Sequence, residues 1–142
     1  MSRENVELVR RGLEAYNRGD LDGAVADFAP DCEYVPTGAL PGGSGVYRGP
    51  EGYKRFVAWL REGFEDARLD VNDLIDAGDR VIAALTLRGR GKQSGVETSW
   101  DLWQVWTIRD GMIVHGQAFT DEAKALEAAR TGRVSTTTVR ER

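Results

Sequence analysis

The stretch Glu97 to Phe119, ETSWDLWQVWTIRDGMIVHGQAF, constrains the fold of this chain more than any other. Two runs rich in apolar residues flank Arg109-Asp110-Gly111. Asp-Gly between such runs signals a tight hairpin, because glycine accepts the positive φ of the turn. A three-residue loop with Gly111 left-handed pairs Trp106 with Val114 and Gln104 with Gly116. A two-residue loop slips that register by one and changes which side chains face together. We take the three-residue loop. One face then carries Trp100, Leu102, Gln104 and Trp106 opposite Val114, Gly116 and Ala118, large residues against small. That leaves space above the sheet for a helix, a cavity or both. The other face carries Trp103, Val105, Ile113, His115, Gln117 and Phe119. It too is largely apolar, whereas an antiparallel sheet with one wet side alternates cleanly. Both faces need cover, and a second subunit is the economical candidate for the outer one.

A chain of 142 residues suits a single core-forming domain. The formal net charge of −4 and the absence of a basic patch argue against nucleic acid as a partner. No apolar run approaches the roughly 20 residues that span a bilayer, so no membrane partner is expected. Charges in MSRENVELVRRG fall where a signal peptide is apolar, so a cytoplasmic location is expected. Cys32 alone permits no internal disulfide, and His115 alone permits no multi-histidine metal site. Neither a metal nor a cofactor is expected.

Val6, Val9, Leu13 and Tyr16 recur at helical spacing and predict a helix over about 3–17. Gly19 stops it. Asp20 then caps a short helix carrying Leu21, Ala24, Val25 and Phe28, which ends at Pro30-Asp31. Cys32 to Pro36 reads as a strand that lies at an edge or ends at Pro36, which lacks a ladder donor. Residues 37–45, TGALPGGSG, read as a linker or pocket lip rather than a phosphate loop, because no Lys-Ser/Thr follows. Pro50 and Glu51 open a helix to about Phe64 with Tyr53, Phe56, Val57 and Leu60 inward and Trp59 at its margin. Strands near 68–75 and 80–88 turn at Ala77-Gly78-Asp79. Asp121 caps a last helix to about Arg130 with Ala123, Leu126 and Ala129 on one face. The order predicts an α+β fold in one domain over 1–130: three helices on the concave side of a curved, mostly antiparallel sheet, forming a cone with an apolar interior. Residues 131–142 lack periodicity and are expected to be a disordered tail.

Four passages, AYNRGDLDGAVADFAPDCEY (15–34), VYRGPEGYKRFVAWL (46–60), DAGDRVIAALTLRGRG (76–91) and VWTIRDGMIVHGQAF (105–119), make the chain resemble the nuclear transport factor 2-like superfamily. The likeness is strongest to its SnoaL-like bacterial branch, which includes polyketide cyclases and relatives of ketosteroid isomerase. The resemblance covers about residues 3 to 130. It implies the cone fold and leaves the function open among isomerases, cyclases, hydrolases, dehydratases and carriers without catalysis. The isomerase branch uses a helix-one tyrosine, an aspartate base and a protonated aspartic acid; the matching positions here are Gly12, Pro36 and Gln104. The SnoaL-branch cyclases place an aspartate on the last strand, where Ala118 stands. An epoxide-hydrolase relay of Asp-Arg-Asp would need Asp101, Arg88 and Asp79 to face inward, and their strand positions point away. No catalytic residue is therefore assigned.

The expected pocket lining is Tyr16, Tyr34, Phe56, Trp59, Leu102, Gln104 and Trp106. Gln104 can donate to a carbonyl and accept from a hydroxyl but cannot act as a base near neutrality. Tyr34 is a candidate donor to a ligand oxygen, and Tyr16 sits one turn beyond Gly12 on the same stripe. The alternative for each is a core residue satisfied by its neighbours. Trp103 is expected at a subunit contact, His115 at that contact or on the surface, and Cys32 as a small buried residue. The first functional expectation is a binder of a small hydrophobic molecule, dimeric through the outer face of its sheet. The alternatives are an isomerase, cyclase or hydrolase using groups such as Tyr34 with Gln104, and a non-catalytic structural dimer.

Overall fold

The computed structural model describes residues 2–37 and 45–131. Of the 37–45 segment only its two ends fall within these limits, and of the 131–142 tail only Thr131. Four helices, α1 (Ser2–Asn17), α2 (Leu21–Ala24), α3 (Gly49–Gly63) and α4 (Glu122–Thr131), accompany six strands. The strands are β1 (Phe28–Val35), β2 (Tyr47–Arg48), β3 (Phe64–Ala77), β4 (Arg80–Gly91), β5 (Glu97–Arg109) and β6 (Met112–Phe119). They form one sheet in the order β2-β1-β6-β5-β4-β3, antiparallel except where β1 runs parallel to β6. The architecture is the expected α+β cone. No helix among the described residues is long and apolar enough to cross a membrane.

The main core lies between α1, α3 and the inner face of the sheet. α1 contributes Leu8, Val9, Leu13 and Tyr16, and α3 contributes Tyr53, Phe56, Val57 and Leu60. Val81, Ala83, Leu85 and Leu87 of β4 meet them with Leu102 and Trp106 of β5. Full burial of each large apolar side chain contributes about 1.5–3 kcal/mol, so this cluster dominates stability. Gly12 serves α1 in another way: a Cβ there would lie 3.3 Å from the Ala24 carbonyl oxygen, so its bareness lets α2 close on α1.

The second helix is shorter than its spacing predicts. Asp20 caps it, accepting from the Gly23 N–H at 2.9 Å, but it ends at Ala24. Phe28 already belongs to β1. The Ile113 N–H donates to the Asp27 carbonyl at 2.8 Å, so β6 captures this backbone for the sheet. Pro30 falls inside β1 where the register with β6 shifts between Phe28 and Glu33, a place where a missing ladder donor costs nothing.

The hairpin corrects the expected turn. Arg109 pairs with Met112, leaving a two-residue loop in which Asp110 (φ 54°) and Gly111 (φ 76°) are both left-handed. That is the turn whose twist suits flanking strands. A bulge follows, with Val114 the extra residue between the pairs Ile108–Ile113 and Thr107–His115. Turn and bulge each displace the register by one. Trp106 therefore pairs with Gly116 and Gln104 with Ala118, and the even-numbered residues keep the inner face. Ile113 is the casualty: expected outside, it lies in the main core.

The outer face is covered in part by this chain's own last helix. Ile82, Val105 and Phe119 pack with Ala125, Ala128 and Ala129 of α4, with Trp103 half-buried beside them. The expected stripe of Ala123, Leu126 and Ala129 is rotated, and Leu126 is 44% exposed. A face of small residues lets the helix sit close on a sheet that already carries Phe119 and Val105.

Candidate functional site

Inside the cone, a cavity of about 20 Å³ is walled by Tyr16, Tyr34, Tyr53, Phe56, Leu102 and Gln104. Pro36, Thr37, Leu60, Leu69, Leu87 and Ala118 complete the wall. That volume holds about one water molecule. Five of the seven expected lining residues stand on it. Trp59 and Trp106 do not. Trp59 is half-buried behind Phe56, with ring centroids 5.7 Å apart. Trp106 lies behind Tyr34, the rings stacked at 5.6 Å and 21°. Trp106 is held there by Gly116 opposite it: a Cβ on Gly116 would fall 2.3 Å from the indole Cζ3. The large-against-small pairing thus seats the indole flat on β6 and does not open space for a ligand.

The polar order of the wall starts from that indole. An indole nitrogen can only donate, and Trp106 Nε1 donates to Gln104 Oε1 at 3.0 Å. The amide is thereby oriented, and Gln104 Nε2 donates to the Tyr34 hydroxyl at 3.2 Å. Tyr34 accepts in that bond, so its own proton is left for another partner. Tyr16 goes further: its hydroxyl is buried and makes no hydrogen bond. The Arg61 guanidinium lies over the Tyr16 ring, 5.1 Å from its centroid. Burial raises the pKa of Tyr16, against smaller lowerings by the charge of Arg61 and by the approach of its N–H groups, although no pair between the two meets hydrogen-bond geometry. Burial also raises Tyr34, partly offset by the Gln104 bond, and pushes Tyr53 well up. All three phenols are therefore protonated donors at neutral pH.

Tyr53 was legible as core but not as wall. Its place follows from the edge-to-face contact with Tyr34 at 5.1 Å, a long-range packing that helical spacing cannot show. Pro36 and Ala118 line the cavity at the positions that match acid-base groups of the isomerase and cyclase branches. No carboxylate or imidazole stands among the described residues of the wall. Asp101 is exposed and accepts from Thr86 Oγ1 at 3.0 Å; Arg88 donates to Asp70; Asp79 pairs with Arg80 at the turn. These groups do not converge. His115 is half-buried on the outer face, opposite Glu33 and Thr107. Burial lowers its pKa, with Glu33 raising it and Arg80 lowering it by less. Cys32 is buried, and burial raises its thiol pKa. Among the described residues no three or more His, Cys, Asp or Glu side chains cluster to hold a metal ion.

A curved sheet with α1 and α3 on its inner face, closed around a phenol- and amide-lined pocket, defines a class of small cone-shaped proteins. This chain belongs to the SnoaL-like domain family, whose description matches residues 9–116. It is 36% identical over 126 residues to the aklanonic acid methyl ester cyclase AcmA of Streptomyces galilaeus, covering 83% of this chain and 85% of that one. An NTF2-like protein of Burkholderia pseudomallei superposes with a TM-score of 0.76 at 25% identity, over 87% of this chain and 95% of the other. TerC, co-crystallised with polyporic acid, superposes with a TM-score of 0.75 at 25% identity, over 90% of this chain and 99% of the other.

Proposed function

We propose that the chain binds a flat, oxygen-bearing hydrophobic molecule of polyketide type in the interior pocket. A carbonyl or enol oxygen takes hydrogen bonds from Tyr16 and Tyr34, and aromatic rings hold the body. The observation that carries this reading is the buried Tyr16 hydroxyl with no partner. An orphaned buried donor costs about 1–3 kcal/mol, and a ligand oxygen would repay it. The likeness to TerC, which was co-crystallised with polyporic acid, supports a small-molecule ligand. A drug-sized ligand fills roughly 300–1,000 Å³, so the wall must open to admit one.

The test is thermal stabilisation by a panel of polyketides, steroids and terpenoids, in wild type and Tyr16→Phe. Tyr16→Phe should match or exceed the wild-type melting temperature, because it removes an unsatisfied group, yet lose most of the ligand-induced shift. A panel without any shift, or a Tyr16→Phe variant stabilised as much as wild type, refutes the assignment.

Catalysis of ring closure is a second reading, favoured by the likeness to a cyclase over 126 residues. The phenols would then stabilise a developing enolate oxygen as donors and would not themselves remove a proton. Turnover of a methyl-ester polyketide, reduced by Tyr34→Phe, distinguishes an enzyme from a carrier. We also propose a homodimer through the outer sheet face, beside α4; sedimentation velocity reads it directly. A structural dimer that has no use for its pocket is the outcome if no ligand binds.

A further inference from the structure

A second cavity, about 810 Å³, opens to solvent where α1 and α3 end against the start of β3. Four cations line it, Arg18, Arg61, Arg68 and Lys92, against the carboxylates of Glu65 and Asp66. This concentration of positive charge stands on a chain of formal net charge −4. Cations near helix C-termini are ordinarily explained by the helix dipole, and two of these have further employment. Arg18 pairs with Asp20 at 3.5 Å, and Arg68 with Asp70 at 2.8 Å.

Arg61 and Lys92 are different. Among the described residues neither has a carboxylate within ion-pair distance. Lys92 is tied to the cleft by its backbone, whose N–H donates to the Gly63 carbonyl at 3.0 Å, so its ammonium is unspent. Arg61 is half-buried and positioned over the Tyr16 ring, so its fork of donors is held in place rather than free to wander. Glu65 sits across the β3–β4 pairing from Arg90, whose guanidinium bonds Glu97. Half-buried Phe64 supplies the cleft with an apolar wall, itself braced edge-on by Trp100 at 5.4 Å. Two cations without a carboxylate partner, Arg61 resting on the Tyr16 ring and Lys92 open to solvent, stand beside an aromatic surface and match an anion attached to an apolar body.

We propose that this cleft binds a small aryl or alkyl carboxylate, the carboxylate on Arg61 and Lys92 and the apolar body against Phe64. The site is separate from the interior cavity and stands whatever that cavity holds. The test is a titration of the ¹⁵N-labelled protein with 3-phenylpropionate, with 3-phenylpropanol and inorganic phosphate as the neutral and the purely ionic probes. The acid should give saturable shifts of the Arg61, Phe64 and Lys92 amides. Arg61→Gln with Lys92→Gln should weaken it by about tenfold or more, and Arg61→Lys should recover only part of that loss, since an ammonium keeps the charge without the fork. Lys92→Gln alone changes only an exposed side chain, keeps the melting temperature and should still weaken binding. Absence of saturable shifts overturns the proposal. So does an unchanged affinity in the double variant, or binding of the alcohol or of phosphate as tight as that of the acid.

Discussion

Gln104 shows how one residue can be read correctly from sequence while its role is not. Alternation along β5 points its side chain inward, and it is 2% exposed. What alternation cannot show is that Trp106 and Tyr34 take both ends of the amide, because those contacts depend on rotamers set by Gly116 and α3. Replacing Gln104 by Leu keeps the volume roughly and removes both bonds. It leaves the indole N–H and the phenol oxygen buried without partners. The expected loss is about 2–4 kcal/mol by urea unfolding, larger than a single average hydrogen bond, because two groups are stranded. An unchanged unfolding midpoint would mean that water enters and replaces the amide. Of the three phenols, Tyr16 and Tyr34 were legible as pocket lining and Tyr53 only as core; the closed cone brings Tyr53 to the same wall.

At the scale of elements, the sequence reading survives where errors preserve parity and fails where pairing overrides local preference. The hairpin was shifted twice, by its turn and by the Val114 bulge, and an even displacement leaves each face intact. The Val25–Phe28 stretch had helical spacing, but pairing with β6 placed Phe28 in a strand. The cover of the outer face is the more consequential miss. α4 rests on Ile82, Val105 and Phe119 through alanines, each of which buries little apolar area. Ala84 and Trp103 stay only half-buried beside it. A second copy seated there would complete the cover that α4 begins. The expected result is a wild-type dimer in sedimentation velocity and a monomer for Trp103→Lys. Ala84→Arg should give the same monomer without removing a side chain from the α4 cluster. A wild-type monomer, or dimers in all three proteins, counts against this face.

For the molecule as a whole, the fold was legible because the hydrophobic pattern of long strands and two amphipathic helices leaves few ways to close a core. The ligand was not, because a SnoaL-like scaffold tolerates many pocket walls. Its response to pH near neutrality, by contrast, narrows to one side chain among the described residues. The chain has a single histidine, and His115 is the group that separates folded from unfolded chain near neutrality. Burial holds its folded pKa below the ordinary value of 6.5. As the pH falls through 6.5 the unfolded chain takes up a proton that the folded chain refuses, so stability falls with it. The loss stops once the pH passes the lowered folded pKa, where both states are protonated. Asp70 does not confuse this window, since its bonds from Arg88 and Arg68 hold it below the usual carboxylate range. Thermal midpoints between about pH 7.5 and 5 should therefore decline in wild type, and His115→Gln should flatten most of that slope. If the variant keeps the wild-type slope, another group with a shifted pKa carries the pH response. If wild type gains stability on acidification, the attraction of Glu33 for a protonated His115 outweighs the cost of burying it.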